Sequence, residues 1–483
     1  MHSGKKAKIG IVGGGVAGSS VALYLGELGL DVTLFEKSKS LVNGPPICHL
    51  HAGGNLYREI SDEQCVTLLK ESIELIRMYP QAIDYRPTII AVPLKDNGKP
   101  EDLFVRLSIL QQKYQAMIEE DINNKVLGKP EEYFKLFYKD EIEALKEYEI
   151  VQNPQTLEEW MIPFAKNIDL EKIQYPVVMV QEYGINIFRL AATLTLSLQD
   201  IKNTKVLTNS FVQEIEKKDE SFLLHYENEG VVKEEVFDYL VNAAGFRSGE
   251  IDDMLGFERE RLVEFKAAYV TKCKSFENSW PEIIFHGERG TPQGMAQFTP
   301  YPNGYFQLHG MTNDITLFDE GLVRSNNRSS QPKLSEKFLQ KIEKGWSSTD
   351  VNKRTSAAIE HMAQYIPIFA NAQAMSKPLF GAQQIPGEDA SLRAADISFE
   401  GERYARCEIV KASSVLNMAD AITKKLIELD YLDKKSYKQR VFTSVHQLQE
   451  ESIQKLAEDF AECREYPTSL AHRSFSTNKG EVL

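Results

Sequence analysis

Three glycines and one glutamate near the start of the chain have the types and spacing of a dinucleotide-binding site. Gly13, Gly15 and Gly18 form the pattern G-x-G-x-x-G directly after an apolar segment. The first glycine permits a tight turn, the second lets a pyrophosphate approach the backbone, and the third lets a helix pack closely on a strand. Glu36 follows eighteen residues after Gly18, where a carboxylate can bind ribose hydroxyls and repels a 2′-phosphate. The spacing therefore predicts a site for NAD or FAD rather than NADP.

The neighbouring sequence supplies the elements that must position these residues. Residues 9–12 suit a short strand at the buried centre of a parallel sheet. Residues 16–28 suit a helix whose first N–H groups and dipole face the phosphates. Gly29 ends that helix, and residues 31–35 form the next strand. A glycine-rich turn that binds nothing is the alternative, and the complete strand–helix–strand order disfavours it. The cofactor contacts expected here are Gly13, Gly14, Gly15, Val16, Ala17, Gly18, Glu36 and Lys37.

A second stretch of small residues lies far along the chain, in the segment 238–257. Residues 239–241 read as an apolar strand, and Ala243, Ala244 and Gly245 follow at once. Small residues at such a turn let the backbone come close to a ligand.

Together the two stretches resemble a known family of flavoproteins. The form GGGxAGxxxAxxLxxxGxxVxLxE over residues 13–36, with the returning strand before Ala243, is similar to the D-amino-acid oxidase, glycine oxidase and sarcosine oxidase superfamily. The likeness covers residues 8–60 and 180–257 and extends loosely beyond them, and the long helical segment after the first element resembles malate:quinone oxidoreductases. It implies FAD as the cofactor, with Val212 contacting adenine through its backbone.

The resemblance also implies an α/β fold, in which a Rossmann-like FAD-binding domain is interleaved with an antiparallel-sheet substrate domain and a helical insertion. The expected division is an FAD-binding domain at 8–60, 180–257 and 377–430, a substrate or cap domain at 61–179 and 258–376, and a helical C-terminal extension at 431–483. Helical sequence is expected through residue 149, and the polar tail after Pro467 is expected to be loose.

The loop after the second strand holds a candidate for covalent attachment of the flavin. His51, Ala52, Gly53 and Gly54 resemble the His-Ala-Ala-Gly of dimethylglycine-dehydrogenase-type enzymes, whose histidine is bonded to the flavin 8α carbon. His51, Ala52 and Gly53 are therefore expected to contact FAD. A link through His49 or Cys48, or non-covalent binding, stays open.

Candidate catalytic residues lie in the second half of the chain. His309, on an expected strand of the substrate sheet, could accept a substrate proton near neutral pH, or serve only a structural role. Arg393 could bind a substrate carboxylate, and is favoured over Arg403 and Arg406 because small and apolar residues surround it. The resemblance places Lys411 and Ser413 at the start of the last flavin-domain helix, near flavin N1 and O2, although a glycine-rich run is typical there.

Composition excludes several other classes of protein. The formal net charge of −14 disfavours nucleic acid as a partner, because nucleic acid binding needs a basic face. Nothing approaches the ~20 apolar residues of a transmembrane helix. The five cysteines are scattered without metal-ligand spacing, so no metal is expected. With no signal peptide at the start, the cytoplasm is the expected location.

These observations predict an FAD-dependent dehydrogenase or oxidase. A small amino- or hydroxy-acid-like substrate, bearing a carboxylate, would pass a hydride to flavin N5, and oxygen, a quinone or a carrier protein would accept the electrons. A flavin monooxygenase using NAD(P)H and a non-catalytic flavin-binding protein are the alternatives.

Overall fold

The computed structural model describes residues 7–44, 50, 53–55, 60–395, 397–435 and 442–475. Its strands in chain order are β1 Lys8–Val12, β2 Asp31–Phe35, β3 Ile83–Asp84, β4 Thr88–Ala91, β5 Phe134–Phe137, β6 Val177–Val180, β7 Gly184–Ile185, β8 Thr204–Leu207, β9 Ser210–Lys217, β10 Phe222–Asn228, β11 Val231–Phe237, β12 Tyr239–Asn242, β13 Arg261–Lys272, β14 Glu282–Phe285, β15 Ala296–Tyr301, β16 Tyr305–Gly310, β17 Leu322–Arg324, β18 Gln373–Ala374, β19 Leu379–Pro386, β20 Ile397–Glu400 and β21 Tyr404–Cys407. Its α-helices are α1 Val16–Glu27, α2 Asp62–Met78, α3 Phe104–Glu120, α4 Lys139–Leu145, α5 Leu157–Asn167, α6 Ile187–Gln199, α7 Ser248–Leu255, α8 Glu336–Lys344, α9 Ser348–Ala363, α10 Val415–Glu428, α11 Thr443–His446 and α12 Glu450–Cys463.

A six-stranded sheet, called here the parallel sheet, positions the glycine-rich turn. Its strand order is β20-β21-β12-β1-β2-β8, and only β20 runs antiparallel to its neighbour. β1 lies between β2 and β12, with Val12 opposite Phe35 on one side and Asn242 on the other. Helices α1, α6 and α10 pack together against one face, and the antiparallel ribbon β9–β11 packs against the other. Because both faces are covered, the short strands are apolar throughout, as buried parallel strands require.

A second, mostly antiparallel sheet of ten strands, called here the large sheet, forms the other half of the molecule. Its main path is β17-β13-β16-β15-β14-β4-β6-β5, and β18 and β19 also pair with β13. The core behind it is rich in aromatic rings, with Phe298 stacked on Phe306 at 4.3 Å and Phe285 stacked on Tyr365 at 4.2 Å. The predicted α/β class, with a Rossmann-like parallel sheet beside an antiparallel sheet, is confirmed, while the proposed domain boundaries stay a prediction.

Two local expectations were wrong. Helical sequence was expected through residue 149, but Phe134–Phe137 forms strand β5, because it pairs with the otherwise open edge of β6. The last helix was expected to begin at Lys411, but Ala412–Ser414 is a 3₁₀ turn and α10 begins at Val415.

The tail after Pro467 is ordered by contacts that are distant in sequence. Thr468–Ala471 forms a 3₁₀ turn. The backbone N–H groups of Ser474 and Phe475 donate to the Asp84 carboxylate at 3.1 and 3.0 Å. The expectation of a loose tail is therefore wrong as far as Phe475. None of the helices in the described ranges is long and apolar enough to cross a membrane.

Candidate functional site

A cavity of about 960 Å³ opens between the carboxyl ends of the parallel strands and the large sheet. Its volume falls within the range of small-molecule and cofactor sites. Most residues singled out from the sequence line it, namely Gly13, Gly15, Val16, Ala17, Glu36, Lys37, Val212, Ala243, Ala244, Gly245, His309, Arg393, Lys411 and Ser413.

Glycine occupies positions 13, 15 and 18 for three different geometric reasons. Gly13 adopts φ +108°, and a Cβ there would lie 2.3 Å from the Ala243 carbonyl oxygen. A Cβ on Gly18 would lie 1.9 Å from the carbonyl oxygen of Gly13, so helix and strand touch at this point. Gly15, in contrast, faces open space, since nothing lies within 4 Å of its Cβ position. It is the N-cap of α1, and no side chain caps this helix end. The turn therefore leaves backbone N–H groups facing a volume in which a pyrophosphate fits.

Glu36 is fixed in place by the backbone around it. Its carboxylate accepts the N–H of Gly14 and the N–H of Ser38, each at 2.7 Å. Gly14 itself does not line the cavity, and it contributes this N–H instead. A carboxylate anchored beside the glycine turn has the chemistry that binds ribose hydroxyls.

Opposite Glu36, the cavity is walled by small residues and strand backbone. Val212 on β9 lies beside Ala243 and Ala244, which follow β12. Gly245 adopts φ +62°, a conformation that suits glycine. These small and apolar side chains leave room for a planar ring such as adenine.

The other end of the cavity meets the start of α10. Ser413 is 2% exposed, and its Oγ has no hydrogen-bond partner among the described residues. Glu71 from α2 holds the neighbouring turn, since its carboxylate accepts from Ser414 Oγ at 2.7 Å and from Asn417 Nδ2 at 2.9 Å. The orphaned hydroxyl, the open glycine turn and the anchored Glu36 together fit FAD.

The loop that carries the candidate residues for covalent attachment of the flavin is described only in part. His51 and Ala52, with the alternatives His49 and Cys48, lie outside the described residues. Gly53 adopts φ +108° and packs against Cys65, where a Cβ would lie 2.6 Å from a backbone oxygen. The fully buried Glu182 holds the next two residues, accepting the N–H of Gly54 at 2.7 Å and that of Asn55 at 3.0 Å.

A polar wall from the large sheet closes the cavity. Lys266 on β13 contacts the Glu264 carboxylate at 2.8 Å, and Arg289 also pairs with Glu264. Burial opposes ionisation of Glu264, but attraction to Lys266 and Arg289 outweighs it and lowers the pKa of the carboxyl. Burial is the largest effect on Lys266 and lowers the pKa of its ammonium, although Glu264 opposes the shift.

Uncharged polar groups complete this wall. Gln297 lies opposite His309 in the β15–β16 pair, and both line the cavity. The Nδ1 atom of His309 is buried and has no hydrogen-bond partner among the described residues. Gln383 accepts from Lys266 Nζ at 3.4 Å, and Gln384 donates to the Cys407 carbonyl at 2.6 Å.

Of the three arginines considered from the sequence, only Arg393 lines the cavity. It is 6% exposed, and its Nη1 donates to the carbonyls of Ala390 and Leu392 at 2.9 and 2.7 Å. Arg406 is buried elsewhere, with its Nε 2.6 Å from Asp252, and Arg403 binds Tyr431 at the surface. No cluster of three or more potential metal ligands occurs within the described residues.

Sequence reasoning missed Lys266, Glu264 and Gln297. One signal was present, because Glu264 and Lys266 alternate with apolar residues along the strand RLVEFKAAYVTK, which places both on one face. Glu182 and Glu71 had no such signal, since Gly54 lies 128 residues from Glu182 and Ser414 lies 343 residues from Glu71.

Comparisons with known proteins agree with this geometry. A family model described as FAD-dependent oxidoreductase matches residues 8–381. Among curated proteins, none matches the chain. Solved structures with the same fold include glycine oxidase from Geobacillus kaustophilus, 13% identical with a TM-score of 0.53 over 88% of this chain and 95% of that one.

Two further structures extend the comparison. L-amino acid deaminase from Proteus vulgaris is 13% identical with a TM-score of 0.56, over 92% of this chain and 98% of that one. The FAD-bound L-alpha-glycerophosphate oxidase from Mycoplasma pneumoniae is 15% identical with a TM-score of 0.54, over 88% of this chain and 95% of that one.

Proposed function

The chain belongs to the FAD-dependent oxidoreductase family, and on that premise we propose that it oxidises a small amino or hydroxy acid whose carboxylate binds at the polar wall of the cavity. The observation that carries the proposal is the charge of that wall. Lys266 and Arg393 line the cavity, and the neighbouring Glu264 carboxylate pairs with both Lys266 and Arg289. The excess of positive charge favours an anionic substrate.

In this proposal FAD extends along the cavity from Glu36 to Ser413. The glycine turn and the start of α1 hold the pyrophosphate, Glu36 binds the ribose, and the wall at Val212 and Ala243 covers the adenine. Bound FAD supplies the electron acceptor, which takes a hydride at flavin N5. His51 as a covalent link to the flavin stays a prediction.

The residues of the polar wall would orient the substrate against the flavin. Arg393 and Lys266 neutralise its carboxylate, because charge-assisted hydrogen bonds are the strong ones in a water-poor site. Gln297 stays in place through Glu282, whose carboxylate accepts from its Nε2 at 2.6 Å. His309, which lines the cavity beside Gln297, is the group that would accept the proton of the substrate's amino or hydroxyl group.

The test is anaerobic reduction of the purified, FAD-loaded protein, followed as loss of flavin absorbance. A panel of small amino acids, hydroxy acids and glycerol 3-phosphate is compared with the amide of each acid. The proposal expects one class of acid to bleach the flavin and the matched amide to do so at least about tenfold more slowly, since a hydrogen bond to a charged group is worth roughly 1.5–3 kcal/mol. Equal rates for acid and amide would contradict it. Bleaching by glycerol 3-phosphate alone would place a phosphate, not a carboxylate, at this wall.

The electron acceptor is proposed to be oxygen, a quinone or a carrier protein. Mixing the substrate-reduced protein with oxygen, and separately with a soluble quinone, distinguishes the first two by the rate at which the flavin colour returns. NAD(P)H is expected not to bleach the flavin; if it did, and a substrate accelerated its consumption, the enzyme would be a monooxygenase. The cytoplasmic location stays a prediction.

A further inference from the structure

The loop that follows β2, residues 36–44, contains a strained turn. Val42 adopts φ +56°. A β-branched residue is an outlier in this left-handed region, and such a strained conformation persists only where its surroundings enforce it. Val42 is fully buried. The surrounding structure must therefore hold this turn.

Residues 41 and 42 pack against the glycine-rich turn that follows β1. The Val42 N–H donates to the Gly14 carbonyl at 2.9 Å. Leu41 packs on the same glycine, since a Cβ on Gly14 would lie 2.7 Å from Leu41 Cδ2. Gly14 in turn donates its N–H to Glu36. The shape of residues 40–42 thus bears directly on the residues proposed to hold the pyrophosphate and ribose.

Arg464, just past the end of α12, holds the other side of the turn. Its Nη1 donates to the Val42 carbonyl at 2.9 Å, and its Nη2 donates to the Leu41 carbonyl at 2.8 Å and to Ser40 Oγ at 3.1 Å. The guanidinium lies near the rings of Phe188 and Phe460. One side chain therefore grips three consecutive residues of the loop.

In the part of the chain that the structure describes, the Arg464 guanidinium bonds to these backbone carbonyls and not to a carboxylate. Within the described residues, no carboxylate forms an ion pair with Arg464. Burial lowers the pKa of the guanidinium to about 10, so it stays a cation at neutral pH. A cation bonded to two backbone carbonyls is a strong clamp.

The segment that carries Arg464 is firmly attached to the rest of the molecule. Arg189 on α6 donates to Gln454 at 2.6 Å and pairs with Glu450 at 2.5 Å, which fastens α12 to the helix beneath it. The clamp therefore has a rigid support.

We propose that Arg464 is a positioning residue for FAD, which holds the strained turn at residues 40–42 so that Gly14 and Glu36 stay aligned for the nucleotide half of the cofactor. The inference rests on the proposed placement of that half at Glu36. In this arrangement a residue near the end of the chain completes a site that begins at residue 13.

The test measures FAD affinity, by quenching of flavin fluorescence on titration of the apo-protein. Arg464→Met, which keeps the apolar stem and loses every donor, is expected to weaken FAD binding about tenfold or more. Arg464→Lys, with one compact cation, should recover part of the loss. Arg473→Met is the matched control, since Arg473 lies on the same segment and pairs only with Glu450 among the described residues. Its FAD affinity should stay within twofold of wild type.

A double-mutant cycle separates positioning from general damage. In a Val42→Gly background the turn is no longer strained, because glycine adopts φ +56° freely, so Arg464→Met should cost less than about threefold there. An equal loss in both backgrounds would overturn the proposal. Gly15→Ala tests the placement of FAD alone: if it weakens FAD binding and Arg464→Met does not, the role of Arg464 is wrong and the placement stands. If neither variant weakens binding, the placement itself fails.

Discussion

Lys266 is the residue whose protonation should control substrate binding. Burial lowers the pKa of its ammonium below the ordinary lysine value, its Nζ lies 2.8 Å from the Glu264 carboxylate, and it faces a site proposed to bind an anion. Lys266→Met removes this charge and leaves Glu264 to repel the substrate, so KM should rise about tenfold or more.

The pH dependence follows from the sign of the shift. Below the lowered pKa Lys266 is charged and kcat/KM is constant; above it the charge is lost and kcat/KM falls. The wild-type enzyme should therefore lose activity at a lower alkaline pH than an ordinary lysine would give. In Lys266→Arg this alkaline limb should move beyond the measurable range, because arginine keeps its proton. An unchanged pH profile in both variants would exclude Lys266 from substrate binding.

At the scale of elements, the glycine-rich turn allows folding and cofactor binding to be measured separately. Gly18→Ala forces a Cβ to within 1.9 Å of a backbone oxygen, so the apo-protein should lose about 1–3 kcal/mol of stability, as overpacked sites do. Gly15→Ala has open space around its Cβ and should leave apo-protein melting unchanged.

The second measurement on the Gly15→Ala variant is its affinity for FAD. The Gly15→Ala methyl group occupies the volume proposed for the pyrophosphate, so binding should weaken at least about tenfold. A destabilised Gly15→Ala apo-protein, or one that binds FAD normally, would show that the turn does not work as proposed.

The sequence predicted those elements whose signal is local. The first strand, α1 and β2 were expected at residues 9–12, 16–28 and 31–35, and they occupy Lys8–Val12, Val16–Glu27 and Asp31–Phe35. Glycine spacing and apolar runs suffice there, because each element is specified by its own residues. β5 was missed because its conformation depends on the open edge of β6.

The residues of the site also divide into those with a local sequence signal and those without one. Most residues predicted from the G-x-G-x-x-G pattern line one cavity with His309 and Arg393, but Gly14 and Gly18 do not. Glu182 and Arg464 bond to backbone groups, and Glu71 bonds to side chains, that lie far away in sequence, and nothing in their own neighbourhoods indicates those partners. Such contacts come from the tertiary fold, which spacing alone does not encode.

At the scale of the whole molecule, a buried ionic network joins the cavity to the tail. Arg86 is 2% exposed and lies 2.5 Å from Asp84 and 3.1 Å from Glu282. Asp84 binds the tail at Ser474 and Phe475, and Glu282 holds Gln297 at the cavity wall.

Removing Arg86 should therefore be costly. Arg86→Met leaves two carboxylates buried without their shared cation and should lower the free energy of unfolding by about 3–5 kcal/mol, measured in urea. Arg324→Met, which breaks an exposed pair with Glu388, is the control and should cost less than about 1 kcal/mol. Similar losses in both variants would show that the buried network contributes no more to the free energy of unfolding than an exposed ion pair does.

The strand order also determines when the parallel sheet can be completed during synthesis of the chain. β1 and β2 emerge first, but β12 begins at Tyr239 and β21 at Tyr404. At about 5–20 residues per second, a ribosome needs roughly 20–80 seconds between the first strand and the last. Until β12 emerges, the edge of β1 that will pair with it has no partner, and unpaired apolar strand edges are prone to aggregation. Arg464 leaves the ribosome later still, so we expect FAD to reach its full affinity only after that residue has emerged.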